Sequence, residues 1–157
     1  MHGSLAIWES LAIAESLAEL APDQNMWPAD AGHRARARAV STEMATGFFG
    51  LRNQFPMNIR RRVEGLVPTP EAERDIARIL SIWRDCRESA EAGPYLFGAF
   101  SIADVMYAPV VFRFQGYGIE PDAVGRQYMD AMLANEWIKE WVAAALTEPW
   151  IVDEDEV

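Results

Sequence analysis

"FSIADV", residues 100–105, is the sharpest local signal in this chain. Ser101 and Asp104 are spaced as a helix N-cap and its reciprocal partner three residues on. In that arrangement the serine oxygen accepts from the Asp104 backbone N–H, and the aspartate carboxylate reaches back to the Ser101 N–H. Phe100 and Val105 stand at the two positions of a hydrophobic staple. The helix that starts here carries Pro109, which removes one hydrogen bond to Val105 and bends it, and it ends near "QGYG", residues 115–118. Replacing Ser101 by Ala is expected to cost about 1 kcal/mol, and losing Asp104 a similar amount.

Working outward, the rest of the chain from Asp30 onward also reads as helix. Asp30 is an N-cap for a long helix whose apolar stripe is Ala37, Val40, Met44, Phe48, Leu51 and Phe55. Gly47 and Gly50 sit inside it, each at a propensity cost of about 1 kcal/mol, which implies close approach of another helix or of a ligand. Pro56 ends it, and "PMNIRRRVEGLVP" is a long loop. Thr69 and Pro70 open the next helix as N-cap and first helical residue, with Ile76, Ile79, Leu80 and Trp83 on its buried face and Gly93-Pro94 as its stop. Two shorter helices follow, about Pro121–Ala134 and Asn135–Leu146, the second with Trp137, Ile138, Trp141, Val142 and Ala145 on one side. "TEPWIVDEDEV" is an extended acidic tail, with Trp150 folding back onto the bundle.

In front of this bundle stands "LAIWESLAIAESLAEL", residues 5–20. Leu5–Trp8 reads as the end of a β-strand. Ser10 is then an N-cap for a helix to about Leu20 on Leu11, Ala14, Leu17 and Ala18. The segment 22–29, with two prolines and an Asn, is the linker. The fold class is therefore all-α, a helical bundle over 30–157, preceded by a strand-helix unit over 1–21. A lone strand exposes unpaired backbone groups, so dimerisation or strand pairing between chains is expected there.

Composition limits the function. The net charge of -10 argues against nucleic acid and anionic membranes as partners, because both call for a basic face. Half the residues are hydrophobic, yet no run approaches a membrane span of ~20 residues, and the first ten residues lack the pattern of a signal peptide. Two basic clusters stand out, Arg34-Arg36-Arg38 and Arg60-Arg61-Arg62. They read as a solvated helix face and a basic loop, with an anion-facing rim as the alternative. Cys86 is the single cysteine and His2 and His33 the only histidines, so no disulfide within the chain and no Cys- or His-rich metal site is expected. The compartment that suits such a chain is reducing cytosol. Cys86 lies on the periodic helix after Pro70 and reads as a buried structural thiol. Neither a Gly-rich phosphate loop nor a Ser/His/Asp set is present.

"IWESLAIAESLAE", then "MWPAD" and "RARARAVSTEMATGF", then "FGAFSIADVMYAPVVFRFQGYGI" together strongly resemble bacterial cytosolic glutathione transferases. The resemblance runs from Leu5 to near the end of the chain. It implies an N-terminal thioredoxin-like domain that binds glutathione and an all-α domain that lines the pocket for an electrophile. Residues 5–20 match the last strand and helix of the first domain, 2–4 a turn before that strand, and 27–157 the helical domain. The family's acidic-Ser turn holds the γ-glutamyl end of glutathione, a role that falls on Glu9 and Ser10. Ser10 simply capping its helix is the alternative. Met44, Phe48 and Tyr107 are candidates for the electrophile pocket, against the reading that they are bundle core. Ser101 and Asp104 are matched as helix nucleators.

The resemblance assigns the family's thiolate-activating residue to no position here, so this chain alone is expected to bind glutathione weakly and to catalyse little. It departs from the family at Ser16, where an aromatic is common, and at Asn135-Glu136, where relatives often start a helix with proline. It also implies a homodimer as the default assembly. The competing function is a non-catalytic helical interaction or dimerisation module.

Overall fold

The computed structural model describes residues 5–90 and 92–156. Within them seven α-helices follow in chain order: α1 (Ser10–Leu20), α2 (Ala31–Thr46), α3 (Phe49–Gln54), α4 (Pro70–Ser89), α5 (Ile102–Tyr117), α6 (Ala123–Ala134) and α7 (Glu136–Thr147). Helix α5 runs through the middle, packed by α2 and α6, while α4 closes the core against α3 and α6. α5 is apolar around most of its circumference, which is why it is the buried member. Trp83 of α4 stands at the centre, with ring centroids 6.3 Å from Tyr107, 5.4 Å from Phe114 and 4.8 Å from Tyr128. Among the described residues no helix is long and apolar enough to cross a membrane.

The capping box at the start of α5 is formed, and it does more than cap. The fully buried Asp104 carboxylate accepts from the Ser101 N–H at 2.8 Å, the Ser101 hydroxyl at 3.0 Å and the Leu96 N–H at 3.0 Å. The next amide, Ile102, donates to the Met26 carbonyl oxygen of the linker at 2.9 Å. Helix start, the preceding turn and the linker are thus joined at one point. Burial pushes the Asp104 carboxyl up to about 6, outweighing the donors that favour its charged form.

Local signals elsewhere hold. Asp30, Thr69 and Asn135 each accept a backbone N–H in the first turn of the helix they precede. Arg113, buried inside α5, donates to the Phe55 carbonyl at 2.8 Å and so satisfies the end of α3 with a cation. Gly50 allows α3 to lie on the start of α4. A Cβ there would fall 2.7 Å from the Glu71 carbonyl carbon and 2.9 Å from the Ala72 nitrogen.

Five expectations are corrected. Residues 6–8 form no strand, because a strand needs a ladder partner and none lies beside them among the described residues. The turn expected at 2–4 lies outside the described residues. The long helix from Asp30 is two helices, broken where Gly47 is extended and Phe48 turns left-handed at φ 59°. That break turns the Phe48 side chain into the core, where it is 6% exposed. Ser10 is the first helical residue of α1, with Glu9 in the capping position. Trp150 does not fold into the bundle and is 73% exposed. Phe100 packs on Tyr95 and Trp137, while Val105, its expected staple partner, is half exposed.

The cost first assigned to Asp104 must rise, since Asp104→Ala strands two buried backbone donors. We expect Asp104→Ala to lose about 3 kcal/mol or more in urea denaturation, against about 1 kcal/mol for Ser101→Ala. The charge has its own signature. With a folded pKa above the ordinary Asp value of 3.8, this group's stabilising contribution is complete below that value and is lost as pH rises through about 6. The wild type should therefore gain stability relative to Asp104→Asn between about pH 7.5 and about pH 4.5. An unchanged difference would show that the carboxyl titrates normally.

Candidate functional site

Glu9 and Ser10 lie at the exposed N-terminal end of α1. Glu9 is held at φ 67°, ψ 122°, a left-handed backbone that costs a non-glycine residue of order 1–3 kcal/mol. Its carbonyl accepts the Ile13 N–H at 2.9 Å, so the helix starts directly after it. No side chain caps this end. The helix dipole favours an anion beside the first-turn N–H groups. Ser10 is the first residue of that end and Glu9 precedes it, both exposed.

A clamp fixes this end of the molecule to the bundle. Leu11, Ala14 and Ala18 of α1 pack inward, and Glu15 lies on the same stripe. Its carboxylate receives Arg38 of α2 in a two-pronged pair at 2.7 and 3.1 Å, and the Trp27 indole N–H at 3.1 Å. Arg38 also lies over the Trp27 ring at 5.5 Å. Arg38, then burial opposing it, then Trp27 leave the Glu15 carboxyl below its usual range. No motif pointed to this triad. The signal available was a Glu at a core-facing position, which needs a partner. Outside the clamp α1 shows an apolar face, with Ile13, Leu17 and Leu20 exposed beside Leu5 and Trp8.

Met44, Phe48 and Tyr107 are brought together, but inside the core. All three are buried, and the Tyr107 hydroxyl donates to the Val40 carbonyl at 3.2 Å. Cavities with apolar walls lie elsewhere. One of about 350 Å3 runs between Phe112 of α5 and Ile138, Val142 and Leu146 of α7; one of about 410 Å3 lies between Ile76 and Leu80 of α4 and Ile119. Ser101 and Asp104 are buried and structural. Cys86 is buried, and burial pushes its thiol up to about 11, as suits an inert thiol.

The arginine clusters are structural ties. Arg34 donates to the Pro28 and Ala29 carbonyls, Arg36 meets Asp85 at 3.6 Å and Arg38 serves the clamp. Arg60 and Arg61 hold the segment after α7, and Arg62 donates to carbonyls of its own loop and to Gln115. Ser16, placed where an aromatic is common, turns its hydroxyl to the Ala12 carbonyl.

The family model for the glutathione S-transferase C-terminal domain matches residues 33–144. A glutathione transferase homologue from Burkholderia gl BGR1, solved with bound glutathione, is similar in fold at a TM-score of 0.68 and 22% identity, over 94% of this chain and 71% of that one. Glutathione transferase Omega 2C from Trametes versicolor is similar at a TM-score of 0.57 and 20% identity, over 94% and 70%. No match was found among curated proteins.

The clamp makes a direct prediction. Its ion pair is half exposed, so Glu15→Ala should release α1 by about 1 kcal/mol and raise the rate of proteolytic cleavage within residues 10–20 about fivefold, with the core transition barely moved. Unchanged cleavage would show that Leu11, Ala14 and Ala18 hold α1 unaided.

Proposed function

This chain belongs to the glutathione S-transferase C-terminal domain family, and from that premise we propose that it supplies the helical part of a glutathione-conjugating enzyme together with the γ-glutamyl end of the glutathione site. The observation that carries this reading is the strained Glu9 at the uncapped start of α1. A left-handed glutamate persists only where something holds it, and such strain gathers at ligand sites. Here it leaves the Ser10 hydroxyl and the first-turn amides free to donate to the α-carboxylate of glutathione. The Glu9 carboxylate accepts from its α-ammonium. Both are charge-assisted contacts, and both fix orientation.

In the reaction, the glutathione thiolate attacks an electrophilic carbon, a C–S bond forms, and the displaced electron pair leaves on the departing group or on the activated double bond. Lowering the thiol pKa and holding the electrophile nearby are the enzyme's tasks. No residue of this chain is assigned the first task. The second falls to the helical domain.

The apolar outer face of α1 favours an assembly role alongside this one. Ile13, Leu17 and Leu20 of α1 are exposed, as are Leu5 and Trp8 just before it, and a clustered apolar patch of this kind marks an interaction surface. A homodimer through the α1 and α2 surfaces covers it. If glutathione does not bind, a helical interaction module is the reading that remains.

Calorimetric titration of glutathione tests the proposal. We expect weak binding, near the millimolar affinity that corresponds to about 4 kcal/mol, and about tenfold weaker binding for Ser10→Ala. No heat at ~10 mM ligand, well above that affinity, or equal binding by Ser10→Ala, would overturn it.

A further inference from the structure

Residues 148–156, after α7, lie across the loop that joins α3 to α4. The grip on them is polar and ordered along the chain. Arg60 donates to the carbonyl oxygens of Glu148 and Trp150, each at 3.2 Å, and so reads the backbone of an extended segment. The Asn58 amide donates to the Asp155 carbonyl at 3.4 Å and to the Glu156 carboxylate at 2.8 Å. Arg61 completes the carboxylate cradle at 3.2 Å. Asn58, then Arg61, hold the Glu156 carboxyl below its usual range.

The loop is built independently of what it holds. The Asn58 side-chain oxygen accepts the Arg60 and Arg61 N–H groups at 3.1 and 3.2 Å. Val63 N–H donates to the Gly116 carbonyl at 2.8 Å, and the Tyr117 hydroxyl to the Pro56 carbonyl at 3.0 Å. These bonds pin the loop to α5 and preorganise the donors, which lowers the cost of binding.

The occupant fits poorly. A cavity of about 220 Å3 lies between it and the bundle, walled by Met57, Ile59, Trp141 and Ala145 on one side and by the segment's own Trp150 and Val152 on the other. Trp150, Ile151 and Val152 point their apolar surface to solvent, at 73%, 65% and 53% exposure. The segment therefore makes its polar contacts while most of its apolar surface stays exposed.

We propose that the Asn58–Arg61 loop is a receptor for an acidic peptide that runs extended and then turns, as residues 148–152 and the 3-10 turn Asp153–Asp155 do, and that residues 148–156 occupy it in cis as a resting ligand which an acidic partner segment displaces. The partner's chemistry follows from the groups that line the loop. It presents backbone carbonyls to Arg60, a carboxylate to Asn58 and Arg61, and an apolar side chain to Met57, Ile59 and Trp141 more closely than Trp150 and Val152 do. On a chain of net charge -10, the Arg60-Arg61-Arg62 cluster is where an acidic partner can land. A cis occupant on a short tether acts at millimolar effective concentration, so it blocks weak ligands and yields to better ones. This inference does not depend on glutathione binding.

The probe is a fluorescein-labelled peptide of residues 148–156, EPWIVDEDE, titrated by anisotropy into full chains whose fold is checked by circular dichroism. Glu156→Arg, which ejects the cis segment, should bind the peptide at least tenfold more tightly than the wild type. Arg61→Glu should not bind it, yet should bind the same peptide carrying Arg at its last position. Added salt should weaken each interaction. Equal affinity for the wild type and Glu156→Arg would show that the segment does not occupy the receptor. No binding by Glu156→Arg, or failure of the charge-swapped pair, would show that the loop is no receptor.

Discussion

One buried carboxylate organises this domain. Asp104 takes donors from Leu96 and Ser101, and the adjoining Ile102 amide reaches the linker at Met26. A charge at such depth is costly unless its lone pairs are filled. Here three donors fill them, and the turn before α5, its first residue and the linker must all be in place together. The same geometry sets the direction of α5, and α5 carries the aromatic side chains against which α2, α4 and α6 pack. Remove the carboxylate and the core residues remain, but nothing fixes where the central helix begins.

The N-terminal helix α1 hangs from this frame at one remove. The linker runs from Met26 to Trp27, whose indole N–H meets Glu15, and Glu15 in turn holds Arg38 of α2. The position of α1 is therefore referred to the bundle through two polar junctions, with a modest apolar contribution from Leu11, Ala14 and Ala18. That arrangement suits a helix whose inner face rests on the bundle while its outer face and N-terminal end are offered to other molecules. Strain at Glu9 and apolar exposure at Ile13 and Leu17 are costs carried at the same helix, as expected where function and stability compete.

What the sequence made legible was local. Caps at Asp30, Thr69 and Ser101 could be read because each depends on residues within one helical turn, whereas the cap at Asn135 was legible only as a helix start. The all-helical class followed from periodicity. Non-local features were opaque. Whether Leu5–Trp8 forms a strand depends on strands that pair with it. The break at Gly47-Phe48 depends on where the core needs the Phe48 ring. The Glu15–Arg38–Trp27 clamp joins residues far apart in the chain, and only a polar residue on an apolar stripe hinted at it. Met44, Phe48 and Tyr107 show the opposite difficulty, since pocket walls and core share one apolar pattern. Trp150 shows it again, because an aromatic near a bundle looks buried until the contacts are drawn.

The claim that Asp104 holds the fold together is most directly tested by native-state hydrogen exchange at the Leu96 and Ser101 amides. If the carboxylate keeps both donors for as long as the chain is folded, these two amides exchange only through global unfolding, at the full stability of the domain, as do the amides of central α5. Exchange of either amide with a free energy well below that of the α5 core would contradict the account, because the junction would then open while the bundle stays folded.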